Sequence, residues 1–403
     1  MDSGQQVLTL WFAEAETCWL TWRWAGGKDA HAAHLHPSLR DALTAVYAQA
    51  LPNVLPHESV QQALDRALAG PLGSPDASLE LGSQLADVLI PWELSHDIIR
   101  RSQQGQQRII IKIHVSPSLA QVPWSLLHIR QDPAGTTRHL LIDFADLSIG
   151  IPRNAAQQAK RWDSTAARLR VPGDRRDVVA VIDPKVPGYS PASELGSILG
   201  RPEDDDELAV VLKRHAGHLV PAVATYSDLV RRTDTDRAWL CEVLPQASAL
   251  LYVGHVSVAQ QHLRTGASSA MHLCCVDDEG RHRPLSAADI VNMDSLVFPE
   301  KVAIVGCGSG SDHMFPEPMG LSLAAHLRGA HCVIAASWTL PTDAYMPHAP
   351  LRRLILVVDE ALTSSDPVRA INAWQRERAV AWFRDGRPED GPLLWAAMQV
   401  FVR

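Results

Sequence analysis

The sequence holds no CxxC pair, no Walker lysine behind a glycine-rich turn, no apolar run long enough for a bilayer and no excess of basic residues. Each absence closes a class. The six cysteines, Cys18, Cys241, Cys274, Cys275, Cys307 and Cys332, are scattered without zinc-ligand spacing, so no metal site is expected. The start, MDSGQQVLTLWFAEAE, has two glutamates and no basic stretch. It does not read as a secretory signal, which leaves reduced thiols and a cytoplasmic location as the expectation. The apolar runs are too short for a membrane span. A net charge of −8 argues against direct nucleic-acid binding, which normally needs a basic domain. The run GCGSGSD carries glycines without the G-x-G-x-x-G spacing of a phosphate cradle, so no nucleotide cofactor is expected. No internal repeat marks a built-in sensor. What is present is a globular composition: 403 residues, 46% hydrophobic and 20% charged, room for two or three domains.

Along the chain, QVLTLWFAEAETCWLTWRWAG predicts two strands around an acidic turn. PSLRDALTAVYAQAL and ESVQQALDRALAG predict amphipathic helices, the second closed by Gly70. Residues 80–107 read as mostly helical, RIIIKIHV as a strand and LLIDFADLSIGIP as strand-like. The polar segment 153–175 reads as a linker or an exposed helix. The second half alternates: DVVAVID, SALLYVG, KVAIVG and AHCVIAASW predict strands, separated by helical stretches that include LVRRTDTDRAWLCEVL. SAADIVNM opens with Ser286 and Asp289 at capping-box spacing. Strands separated by helices imply an α/β fold, a mostly parallel sheet flanked by helices. It is preceded by an α+β N-terminal region.

Two of these strands end in reactive side chains. SALLYVG stops at Gly254-His255 and KVAIVG at Gly306-Cys307. In a doubly covered parallel sheet, ligands bind beyond the carboxyl ends of the strands. If the two strands are neighbours, a thiol and an imidazole share one cleft, as a cysteine nucleophile and its base require. Otherwise each is an ordinary core residue. Glycines on both sides of Cys307 suit an exposed elbow and leave backbone N–H groups free to face an oxyanion. The histidine precedes the cysteine by 52 positions, close to the caspase-type separation.

These pieces together resemble the CHAT domain, the bacterial branch of the caspase-like cysteine peptidases that also includes separases. The resemblance covers roughly residues 80–403. It rests on VSPSLAQVPWSLLHI, LLIDFADLSIGIP, SALLYVGHV, LCCVDDEGRHRPLSAADI, KVAIVGCGSG and EPMGLSLAAHLRGAHCVIAASWTLPTDA, in the family's order. It implies a caspase-like fold, Cys307 as nucleophile and His255 as general base and acid. The oxyanion would be held by the backbone N–H groups of Cys307 and Val256. Three positions depart from the pattern: Val256 where the family usually has glycine, Gly306 where alanine is usual, and Gly308 where glutamate is frequent. A positive φ at Val256 would strain a valine. No acid is evident to orient His255, which leaves that task to a backbone carbonyl. The family's substrate-reading position falls on Asp183, at the end of the first catalytic strand, where a carboxylate would favour Lys or Arg at P1; Asp312 is the second candidate. Gly308 and Ser309 complete the expected substrate-binding set.

The resemblance implies a cysteine endopeptidase acting on protein or peptide substrates, switched on by a separate sensor or activator protein and loosely tied to bacterial defence or regulated cell death. The competing expectation is a silent pseudo-peptidase that binds partners as a scaffold. The expected division is residues 1–80 as an N-terminal interaction or regulatory region, 81–165 as the first part of the CHAT region, and 166–403 as the caspase-like catalytic domain. The loop 184–202 is a candidate activation or processing loop.

Overall fold

The computed structural model describes residues 5–105, 107–169, 177–257, 269–310, 320–346 and 348–403, save the side chains of 164, 165, 168 and 169. It divides into two units: Met1–Gly150 with Val368–Val400, and Ile151–Pro367 with Phe401–Arg403. These units are drawn by packing and divide the chain at 150 and 367 rather than at the expected 80 and 165. The first 150 residues form one core, because the strand Ile109–His114 lies parallel to Val7–Glu14, within the N-terminal sheet.

In the first unit the opening strands follow their two-residue apolar rhythm. Val7–Glu14 and Cys18–Trp24 are antiparallel, with Leu8 opposite Trp24 and Glu14 opposite Cys18, and they bury Leu8, Leu10, Phe12, Leu20 and Trp22. Ala30–His34 adds an antiparallel edge. Ile109–His114 and Ala145–Gly150 extend the sheet in parallel on the other side. Between the strands lie the helices Leu39–Ala50, Val60–Ala69, Pro75–Leu89 and Trp92–Gln104. Val60–Ala69 has a capping box from Ser59 and Gln62 and ends at Gly70, as its sequence suggests.

The second unit is built on a parallel sheet in the order Cys332–Ala336, Lys301–Val305, Ala249–Val253, Val178–Ile182, Leu219–Val220. Val178–Ile182 and Ala249–Val253 are buried along their whole length, which explains why their sequences are unbroken apolar runs. The helix Pro350–Thr363 covers Ala249–Val253 and Lys301–Val305, while Gly320–Leu327 packs on Cys332–Ala336, Arg153–Leu169 and Ala287–Asn292. Arg153–Leu169 is therefore a packed helix, not a linker. Ala287–Asn292 carries the expected Ser286–Asp289 capping box. In LVRRTDTDRAWLCEVL, Leu229 closes the short helix Tyr226–Leu229 and the chain is helical again over Arg237–Val243, where Asp236 accepts the Trp239 N–H at 2.9 Å. The stretch between bridges Val230 to Ile182 and turns through Arg231 at φ 57°; this departure places Arg231 beside the site. The fold is α/β, a mostly parallel sheet flanked by helices with an N-terminal antiparallel region. Among the described residues no helix is long and apolar enough to cross a membrane.

Candidate active site

The two central strands of the second unit bring the predicted pair together. Ala249–Val253 and Lys301–Val305 run in parallel with Val253 opposite Val305, and the Gly254 N–H donates to the Val305 carbonyl at 3.1 Å. Gly254-His255 and Gly306-Cys307 thus leave the sheet side by side. Gly306 is required for space. A Cβ there would lie 2.5 Å from Val256 Cγ2 and 2.7 Å from the Gly254 carbonyl oxygen.

Cys307 sits on a stitched elbow. The Ser309 N–H donates to the Gly306 carbonyl at 3.3 Å, closing a turn whose third residue, Gly308, has φ 60°. That conformation favours glycine over the glutamate frequent in the family. The Gly308 N–H donates to Trp338 O at 3.0 Å and the Gly310 N–H to Ala336 O at 2.8 Å. The Ser309 hydroxyl donates to Ile304 O at 2.7 Å and accepts the Ala336 N–H at 3.0 Å. Within Gly306–Gly310, Cys307 alone is partly exposed. The substrate-binding expectation for Gly308 and Ser309 is corrected. Ser309 is fully buried with its hydroxyl spent on the sheet, and the Gly308 N–H is held by Trp338.

His255 is oriented by a backbone carbonyl: its Nε2 lies 3.0 Å from Gly196 O. A carbonyl only accepts, so Nε2 carries the proton and a neutral ring leaves its lone pair on Nδ1. Burial pushes the His255 pKa down from 6.5, opposed by the Gly196 hydrogen bond and the Asp183 charge, while Arg231 lowers it further. The imidazole is neutral at neutral pH. Burial pushes the Cys307 thiol above its ordinary 9.0, against the backbone N–H groups of Leu340 and of Cys307 itself, which lower it. Among the described residues no hydrogen bond joins His255 to Cys307, and both groups are neutral at neutral pH.

The strain anticipated at Val256 is absent. Val256–Ser257 is a short extended strand opposite Ala270–Met271, and Val256 has no positive φ. The His272 N–H donates to His255 O at 3.0 Å, which makes Val256 and Met271 a non-hydrogen-bonded pair. The ladder therefore leaves the Val256 N–H unused.

Asp183 is corrected as a substrate reader. It is fully buried, and its carboxylate accepts the Ser197 hydroxyl at 2.5 Å, the Ile198 N–H at 3.2 Å and Arg231 at 3.4 Å. A substrate cation would have to break all three. Asp312 lies outside the described residues.

Sequence reasoning missed Gly196, Arg231, Leu340 and His272. Gly196 and Leu340 act through backbone atoms, which leave no mark on residue type, and the other two stand on segments with no motif. His272 packs edge-on to His255, ring centroids 6.5 Å apart. His282 Nδ1 donates to Cys275 O at 3.1 Å, so its Nε2 accepts from His272 Nδ1 at 3.0 Å. This leaves His272 Nε2 a buried lone pair with no hydrogen-bond partner among the described residues.

Burial, then His282 and His255, push the His272 pKa from 6.5 down to about 4. Between those values the unfolded chain binds a proton that the folded chain does not, so acid favours unfolding. In urea titrations at pH 7 and pH 5, wild type should lose about 2 kcal/mol more than His272→Phe. Equal losses in the two proteins would rule out this source of acid sensitivity.

The CHAT-domain family model matches residues 79–399. No curated protein matches the chain. Two crystal structures of the Saccharomyces cerevisiae separase–securin complex are similar. The one at 3.0 Å has TM-score 0.49 and 10% identity and covers 100% of this chain and 30% of the matched chain. The one at 2.6 Å has TM-score 0.47 and 11% identity and covers 98% and 30%. This chain spans under a third of the length of those chains.

Proposed function

Since the chain belongs to the CHAT-domain family and has a caspase-like peptidase fold, we propose that it is a cysteine endopeptidase, with Cys307 as nucleophile and His255 as base. The observation that carries this is the pairing of Val253 with Val305, which sets the two reactive groups at adjoining strand tips. The protonation states agree with the role. A neutral ring with its proton on Nε2 offers Nδ1 to the thiol.

In the reaction, Cys307 Sγ adds to the scissile carbonyl as its proton passes to His255 Nδ1. The N–H groups of Cys307 and Val256 receive the oxyanion. Collapse breaks the C–N bond, and the amine leaves with the proton from Nδ1. Water, deprotonated by the same nitrogen, then cleaves the thioester and restores the thiol. The raised thiol pKa and the unjoined pair are compatible with an enzyme at rest, which fits activation by a separate protein in a cytoplasmic defence or cell-death setting. The same raised pKa favours a second reading, a silent scaffold that binds partners.

Labelling with peptidyl warheads that alkylate cysteine, mapped by mass spectrometry in the purified protein and in lysate of its host, separates the two. The peptidase reading expects selective modification of Cys307, lost in His255→Ala. Labelling at Cys307 no faster than at partly exposed Cys241 under both conditions would establish the scaffold.

A further inference from the structure

We propose that Asp183 and Arg231 are positioning residues for His255, acting through the Gly196 carbonyl; the inference rests on His255 being the base. Three independent features converge on that one oxygen. The first is strain. Asp183 has φ 47° and Arg231 φ 57°, left-handed conformations that are uncommon for a non-glycine residue, above all for a long side chain such as arginine. They stand at adjoining chain ends, with Ile182 bridged to Val230 and the Arg231 N–H donating to Ile182 O at 3.3 Å.

The second is the ion pair. Arg231 Nη1 lies 3.4 Å from the Asp183 carboxylate and donates to Gly196 O at 3.0 Å. The same carboxylate takes Ser197 and Ile198, the two residues after Gly196. A buried pair is a poor source of stability by itself. Here it grips three successive residues of one loop and leaves the Gly196 carbonyl shared between Arg231 and His255.

The third is the loop. The Gly196 N–H donates to Ser193 O at 2.8 Å and the Ser197 N–H to Pro191 O at 2.9 Å. A Cβ on Gly196 would lie 2.1 Å from Pro191 O, so the coil closes only on glycine. Its far side is tied by Arg352, which donates to Leu199 O at 2.6 Å and pairs with Asp206 at 3.0 Å and Asp343 at 2.7 Å. The loop expected as an activation or processing segment is, in this state, a strap that presents one acceptor to one imidazole. Holding Nε2–H on that acceptor keeps the lone pair on Nδ1. Released, the ring would populate both tautomers and lose the defined base.

The charged and titratable groups facing His255 are Asp183 and Arg231, with His272 on its other side and His282 behind that. The test therefore includes a change that alters no charge. Gly196→Ala displaces the carbonyl, Asp183→Asn and Arg231→Gln loosen the grip, and Ser197→Ala removes a partly exposed hydroxyl that reaches Asp183 at 2.5 Å and Gly200 O at 2.8 Å, so that a folded variant is in hand even where a buried change is not tolerated. Nitrogen-15 NMR of the histidine rings reads the His255 tautomer directly, whether or not the chain turns over peptides; failure of the peptidase reading shows only in the kinetics. The expected result is a single Nε2–H tautomer in wild type and a mixture with a shifted titration in the variants. In active protein kcat should fall about 10- to 100-fold, part of what a general base supplies, with KM little changed. Folded variants that keep the wild-type tautomer and titration, or that lose activity through KM alone, would overturn the proposal.

Discussion

Peptide turnover should vanish in Cys307→Ala, while His255→Ala should retain about one part in 10²–10⁴ of the wild-type rate, the usual contribution of a positioned base. The difference between the variants carries the information. Without the thiol there is no acyl-enzyme; without the imidazole the thiol still exists, but its pKa stands above 9.0 and little thiolate forms at neutral pH. The activated wild-type protein should show an acid limb with its midpoint below 6.5, because burial depresses His255 and a protonated ring cannot accept the thiol proton. In His255→Ala that limb should disappear, and the residual rate should rise with pH as the thiol ionises. Neither change should unfold the chain. Cys307 is only partly buried and leaves no large cavity, so melting temperatures close to wild type are expected. Peptide hydrolysis across pH 5–9 with parallel thermal melts checks all of this. Equal rates in wild type and both variants would reject the dyad.

The candidate site was legible wherever chemistry is carried by residue type at the end of an apolar run. LLYVG-His and AIVG-Cys announce buried strands that stop at reactive groups, and the parallel register joins them because both runs lack polar interruptions. The fold was legible for the same reason, since two-residue alternation in the first unit and unbroken runs in the second are read directly from hydrophobicity. What stayed hidden was set by long-range backbone geometry. The Gly196 carbonyl reaches His255 across 59 positions of sequence, and Asp183, a plausible cation reader at a strand end, is consumed by partners up to 48 positions away. The segment LVRRTDTD reads as helix by local propensity, yet Val230 bridges to Ile182 and Arg231 stands in a left-handed turn. Tertiary contacts replace the local preference there, beside the proposed base.

Two departures from the family pattern are one change in the structure. The valine at 256 and the glycine at 306, where glycine and alanine are usual, face each other: a Cβ added at 306 would lie 2.5 Å from Val256 Cγ2 and 3.2 Å from its Cβ. Gly306→Ala alone should therefore overpack the elbow and cost about 1–3 kcal/mol, since a β-branched side chain in a strand has little freedom to turn away. Val256→Gly alone should also destabilise, by loss of a buried side chain. Combined, the two should cost less than their sum, with a coupling of about 1 kcal/mol or more, as expected for residues in contact. Full restoration is not expected, because the 306 Cβ would still meet the Gly254 carbonyl oxygen at 2.7 Å, and that backbone carries His255. The double variant should accordingly recover more stability than peptidase rate. Strict additivity in urea titrations would show that the two positions adapt independently, and that Val256 is tolerated at the proposed oxyanion position for some reason other than the missing methyl across from it.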